Sequence, residues 1–190
     1  MQADFSVELG AQDPALELPW QAEDGGVRYF NLKHSPDLVL SIPEARNNPE
    51  LSAFLTRINA AGFPLETAKC DVWSSRELLP EEEIFGASCK FACYVDLLFS
   101  DVDGRFSLEK HQMLADDLCK LLKRAPEMAA AAEFVVRHCH YHNDSQGDSR
   151  IGFCMTAYVT GYGDSEEEAR QRWAIALKLV QNAVVQKTSS

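Results

Sequence analysis

Two β-rich runs, AAAEFVVRHCHYHND and RIGFCMTAYVTGYG, flank the polar loop SQGDS within residues 129–163, and they constrain the fold more than any other stretch. Valine, phenylalanine, tyrosine and threonine crowd both runs, and branched or flat side chains fit a pleated surface better than a helix. With a polar connection between them, the runs read as a long antiparallel hairpin. The first run also carries the densest set of reactive side chains in the chain: His138, Cys139, His140, Tyr141 and His142.

Residues 88–101 add a sidedness. Cys89, Phe91, Cys93, Val95, Leu97 and Phe99 alternate with Lys90, Ala92, Tyr94 and Asp96. A period of two puts the first set on one sheet face and the second on the other. The apolar set is therefore expected to meet packed helices, with Tyr94 and Asp96 turned away from them.

Three helical patterns supply that packing. Residues 50–61 place Leu51, Phe54, Leu55 and Ile58 on one face with Gly62 as the stop. Ser107 can cap a helix reaching about Lys123, with Leu108, Leu114, Leu118, Leu121 and Leu122 as its buried stripe and Pro126 beyond it. The last helix starts at Asp164 or Ser165, where a glutamate three positions on can return the capping bond. Its core face is Trp173, Ala176, Leu177, Val180 and Val184, it runs to residue 186, and residues 187–190 are expected to fray.

Elsewhere the chain is punctuated. Asp-Pro, Leu-Pro and Asp-Gly-Gly breaks in residues 1–26 suit an irregular arm anchored by Trp20. Residues 27–33 (VRYFNLK) read as a first strand and residues 67–75 as a second; prolines and an Asn-Asn pair interrupt residues 35–49, and PEEEIF at 80–85 forms an acidic turn. The resulting order is strand, helix, strand, strand, helix, strand, strand, helix. Its first six elements resemble the split βαβ order of ferredoxin-like sandwiches. The expectation is one α+β domain over residues 27–186: a two-layer sandwich with a five-stranded, mostly antiparallel sheet, three helices mainly on one face, and an added strand and helix.

Composition narrows the function classes. The formal charge of −11 and pI near 4.9 repel phosphodiester backbones and anionic lipid, so neither nucleic acid nor membrane is an expected partner. The first residues lack a basic start and an apolar run, and no stretch approaches the roughly 18 apolar residues of a spanning helix, which points to the cytosol. Six cysteines scattered through apolar runs then read as buried, reduced thiols. No cofactor is called for. Asp101-Val-Asp-Gly departs from a calcium loop at Arg105, and Gly161-Tyr-Gly lacks the rest of a dinucleotide turn.

The open sheet face is where chemistry could sit. Its candidate binding set is Lys69, Asp71, Lys90, Tyr94, Asp96, Arg137, Tyr141 and Tyr158. The leading expectation is a homodimer whose second copy covers this face while charges of both signs answer one another across strands. The alternative is an enzyme or binding protein for a small anionic or carbonyl-bearing ligand, held by the lysines and the arginine, with a tyrosine or Asp96 moving a proton. A third possibility is divalent metal on His138 and His140, which a strand places about 6.6 Å apart on one face. That pair needs further ligands from Cys89, Cys93 or Asp101. Cys139 cannot use either neighbouring histidine as its base, because adjacent strand residues point to opposite faces. His111 shares the apolar side of its helix and reads as a hydrogen-bonded core-edge histidine.

Overall fold

In the computed structural model, which describes residues 1–22, 25, 28–142 and 149–188, the hairpin runs form strands β5 (Ala130–His142) and β6 (Ser149–Gly163), paired antiparallel along their length. Of the expected loop SQGDS, residues 145–148 lie outside the described residues and Ser149 begins β6. Strand β4 (Cys89–Phe99) pairs antiparallel with β6, and β3 (Leu65–Ser75) pairs antiparallel with β4 at the sheet edge. At the opposite edge β1 (Gln2–Glu8) runs parallel to β5, and the short β2 (Leu16–Leu18) prolongs that parallel pairing as far as Tyr141. The strand order is β1-β5-β6-β4-β3, with β2 beside β5.

The fold is α+β with a six-stranded mixed sheet, which corrects the five-stranded, mostly antiparallel expectation. Residues 1–26 are not wholly irregular, since they supply β1 and β2. Ala3 is buried and Phe5 packs on the main core, and the amino group of Met1 donates to the Pro126 carbonyl at 2.9 Å. Parallel strands need a crossover, and here it is nearly the whole chain between Glu8 and Ala130, so nothing local announces the pairing. Among the described residues of the expected first strand, 28–33, none belongs to a strand of the sheet. Val27 lies outside the described residues, and the segment contributes only an isolated bridge between Arg28 and Gln21. The ferredoxin-like order, which needed that strand first, is therefore not confirmed.

Five α-helices are described: α1 (Pro43–Asn47), α2 (Pro49–Ile58), α3 (Val102–Arg105), α4 (Leu108–Leu122) and α5 (Glu166–Thr188). Ser107 caps α4 by accepting from the Lys110 amide at 3.2 Å. At α5 the Ser165 hydroxyl accepts from the Glu168 amide at 3.2 Å, and the Glu168 carboxylate accepts from the Asp164 amide at 2.9 Å. These bonds satisfy first-turn donors that have no intrahelical partner. Helix α5 continues past the expected fraying point because Lys187 reaches Asp117 of α4 at 3.0 Å.

Helices α2, α4 and α5 bury their apolar stripes against one sheet face, where Leu51, Phe54, Leu118, Trp173, Leu177 and Val180 meet Val95, Leu97, Phe134, Val136, Met155 and Val159. Phe91 belongs to this core and Phe99 packs against it, as the alternation predicts. Gly161 lets α5 lie directly on β6: a Cβ there would fall 2.2 Å from the Trp173 nitrogen and 2.3 Å from the Ala169 carbonyl oxygen.

Candidate functional site

The other sheet face is covered at both ends and open between them. Where β4 finishes, Leu16 and Leu18 bury Leu98, Cys139 and Cys154 in a second small core, with Trp20, Tyr29 and Tyr141 at its margin. Where β4 begins, the 3₁₀ turn Pro80–Phe85 folds over it. Phe85 stacks on Tyr162 with centroids 4.1 Å apart, and Glu82 accepts from Lys90 at 2.7 Å and from the Tyr162 hydroxyl at 2.9 Å. Burial on its own would raise the Glu82 carboxyl, but the bonds from Lys90, the Leu79 amide and Tyr162 hold it below the usual carboxylate range. Lys90 is thereby committed to fastening this turn.

Between the two covers runs an aromatic and polar strip. Trp73 and Tyr94 have centroids 6.4 Å apart, and Tyr94 lies 5.9 Å from Tyr158 on the neighbouring strand. Arg137 donates to the Tyr158 hydroxyl at 3.0 Å and to Glu8 of β1 at 2.9 Å. Below them Asp96 is only 6% exposed and accepts from the Thr156 hydroxyl at 2.6 Å. Burial pushes the Asp96 carboxyl up to about 6, although the Thr156 bond and the charges of Arg137 and Lys69 pull it down. Burial also raises the Tyr94 phenol, helped by Asp96 and Asp71, so this hydroxyl stays protonated.

The β3 edge departs from regularity beside Asp96. Its register with β4 shifts between Thr67 and Cys70, so the intervening residues bulge from the ladder. Trp20 closes over that bulge: its indole N–H donates to the Ala68 carbonyl at 3.0 Å, and the Lys69 ammonium sits 5.4 Å from its ring centroid. A cavity of about 370 Å³ lies between this edge, the strap that follows Trp20, and the start of α1. Phe30, Leu32, Ile42, Pro43 and Leu55 give it apolar walls, Trp20 and Tyr94 give it aromatic ones, and Arg28, Lys69, Glu44 and Asp71 place charge on its lining. Its size and its mixture of apolar wall and few polar groups match small-molecule sites in general.

The eight candidate residues are thus divided among four places. Lys69, Asp71 and Tyr94 share the cavity. Asp96, Arg137 and Tyr158 form the adjoining polar chain, with Lys90 held apart by Glu82. Tyr141 sits in the second core, donating to the Phe153 carbonyl at 2.9 Å with its ring against Phe106. Arg28, Phe30, Leu32 and Glu44 were not among the candidates; their signal was masked because the first three look like strand residues and Glu44 sits in a proline-broken stretch.

His138 stacks on Phe153 at 5.7 Å, on the helix-facing side, while half-buried His140 stands opposite Ile151 on β6. Among the described residues no three His, Cys, Asp or Glu side chains are placed to hold a metal ion. His111 is 1% exposed, its Nδ1 lies 2.8 Å from the Ser107 carbonyl oxygen, and burial lowers its pKa against the pull of backbone bonds. All six cysteines are free. Among the described residues no helix is long and apolar enough to cross a membrane. No family model matches the chain, and no curated protein or solved structure shows significant similarity to it.

Proposed function

We propose that this protein binds a small molecule in the cavity beside the β3 bulge, with Lys69 and Arg28 receiving an anionic or carbonyl group and the apolar walls taking the body of the ligand. The single observation behind this is the convergence of Trp20, Lys69, Asp71 and Tyr94 on one cleft. Cys70, the thiol in the lining, is pushed up to about 12 by burial, with Glu44, Cys93, Asp71 and Asp96 adding to the shift, so it is not an available thiolate.

A thermal-shift screen of the full chain against small carboxylates, ketones and inorganic phosphate tests the proposal. Stabilisation of the parent that is lost in Lys69→Ala supports it. A flat response across the panel ends it.

A second proposal concerns self-association. Trp73, Tyr94 and Tyr158 form a half-buried strip across three neighbouring strands, and a second copy laid over it would take those rings out of water. Sedimentation velocity at micromolar concentration should then show a dimer that Trp73→Glu separates, whereas a monomer at that concentration removes the idea. With its cysteines kept reduced, the protein is proposed to work in the cytosol.

A further inference from the structure

The sheet ends on β1 and β3, and each of these strands has a side with no neighbouring strand. Such an edge presents backbone N–H and C=O groups to which another extended chain can add. On β3 side chains take these groups. The Thr67 amide donates to the Asn59 side-chain oxygen at 3.1 Å, the Ala68 carbonyl accepts from the Trp20 indole at 3.0 Å, and the Val72 amide donates to Oδ1 of Asp71 at 2.7 Å. Asn59 and Trp20 come from outside the strand, so this edge is covered as well as capped.

Among the described residues β1 has one bond of this kind: its Phe5 amide donates to Oδ1 of Asp4 at 2.8 Å. The arrangement repeats that of Asp71 and Val72 at the far edge, an exposed aspartate folded back onto the amide that follows it. Backbone groups turn alternately to the two sides of a strand, so the amides of Ala3 and Val7 face outward with that of Phe5. Asp4 thus occupies the middle donor of the edge.

The rest of β1 favours pairing. QADFSVE has no proline or glycine, Ala3, Phe5 and Val7 alternate along it, and Val7 is exposed. Without the charge of Asp4 it is the composition of a segment that adds readily to a sheet. A second β1 laid antiparallel about Phe5 would need the Phe5 amide. It would have to displace the Asp4 carboxylate from that amide and strip water from it, and an ionised group desolvated without a partner is costly.

We propose that Asp4 closes the β1 edge, its carboxylate holding the middle outward amide and so keeping β1 from pairing antiparallel with β1 of a second copy. The contact it prevents runs edge to edge and is separate from the face-to-face association of Trp73, Tyr94 and Tyr158.

Sedimentation velocity of the full chain at micromolar concentration tests this, in a Trp73→Glu background that removes the face-to-face contact. Asp4→Val, which deletes both the bond and the charge, should sediment as a dimer or larger species. Asp4→Asn keeps an oxygen that can accept from the Phe5 amide and should sediment as the Trp73→Glu protein does. Val7→Pro deletes an outward N–H without removing a bond to β5. Added to Asp4→Val, it should restore the sedimentation of the background, with a cooperative far-UV circular dichroism melt showing that the chain is folded. Three results overturn the proposal: Asp4→Val sedimenting like its background, Asp4→Asn associating as strongly as Asp4→Val, or association of Asp4→Val that persists with Val7→Pro in a folded chain. Should the double variant not fold, the contrast between Asp4→Val and Asp4→Asn decides alone.

Discussion

On β4, Phe91, Cys93, Val95 and Leu97 point to the helices, while Lys90, Tyr94 and Asp96, from the same eleven residues, point to the open face. The first set is held by area removed from water, shared among many side chains and indifferent to exact partners. The second is held by named pairs: Lys90 to Glu82, Asp96 to Thr156, and Arg137 to Glu8 and Tyr158. The helix-facing side can thus supply stability without directing recognition, whereas the open side keeps polar groups in defined positions at some energetic cost. The proposed binding cavity draws Lys69, Asp71 and Tyr94 from the β3–β4 edge and its apolar walls from Leu32, Ile42 and Leu55 of the helix-side core.

The contrast can be broken or sharpened by substitution. Phe134→Ala on the helix-facing side, where the ring is fully buried, should cost roughly 3–5 kcal/mol in denaturant unfolding, through lost transfer free energy and the cavity left behind. A loss under about 1 kcal/mol would mean that this side is not the dominant core. On the open side, Lys90→Met leaves the Glu82 carboxylate without its cation in a site where the two side chains are 13% and 12% exposed. The expected cost is roughly 2–3 kcal/mol. Glu82→Gln in the same background should recover part of it, and no recovery would show that the loss does not come from the unpaired Glu82 carboxylate.

Asp96 should behave in the opposite sense. Its carboxyl titrates higher in the folded chain, at about 6, than the ordinary 3.8, so the folded state holds that proton more tightly. Its contribution to stability therefore falls as pH rises from about 4 to about 6 and levels off above that. Asp96→Asn should raise stability at pH 7 by roughly 2 kcal/mol and flatten that part of the pH profile. A lower stability at pH 7 would instead show that the ionised Asp96 is held favourably by Arg137 and Thr156. The smallest effect belongs to Glu8→Gln, which breaks a pair whose partners are 17% and 38% exposed and should cost about 0.5 kcal/mol, fading in salt.

Sidedness was legible because alternation is a local property. Phe91, Val95 and Phe99 turn toward the helices, and Tyr94, Arg137 and Tyr158 share the other face, as their positions along the strands require. The caps of α4 and α5 could likewise be read from Ser107 and from Asp164 to Glu168. Strand β1 was obscured by the breaks that follow it, even though Ala3, Phe5 and Val7 alternate correctly. Residues 27–33 misled in the other direction: their β-forming side chains are used by the tertiary structure as cavity wall, in Phe30 and Leu32, and as strap, through the Lys33 ammonium on the Phe63 carbonyl at 2.5 Å.

The sequence by itself determined which residues are apolar, where the helices start and which side of each long strand meets them, since these follow from spacing along a single element. Only the tertiary structure decided that β1 lies beside β5, that β3 bulges opposite Asp96, and that Trp20, Arg28 and Glu44 close a cavity around Lys69. The reason is physical: strand pairing is made by backbone N–H and C=O groups that every residue carries. A cavity, for its part, is space left between segments far apart in the chain, and neither leaves a periodic mark on the residues that make it.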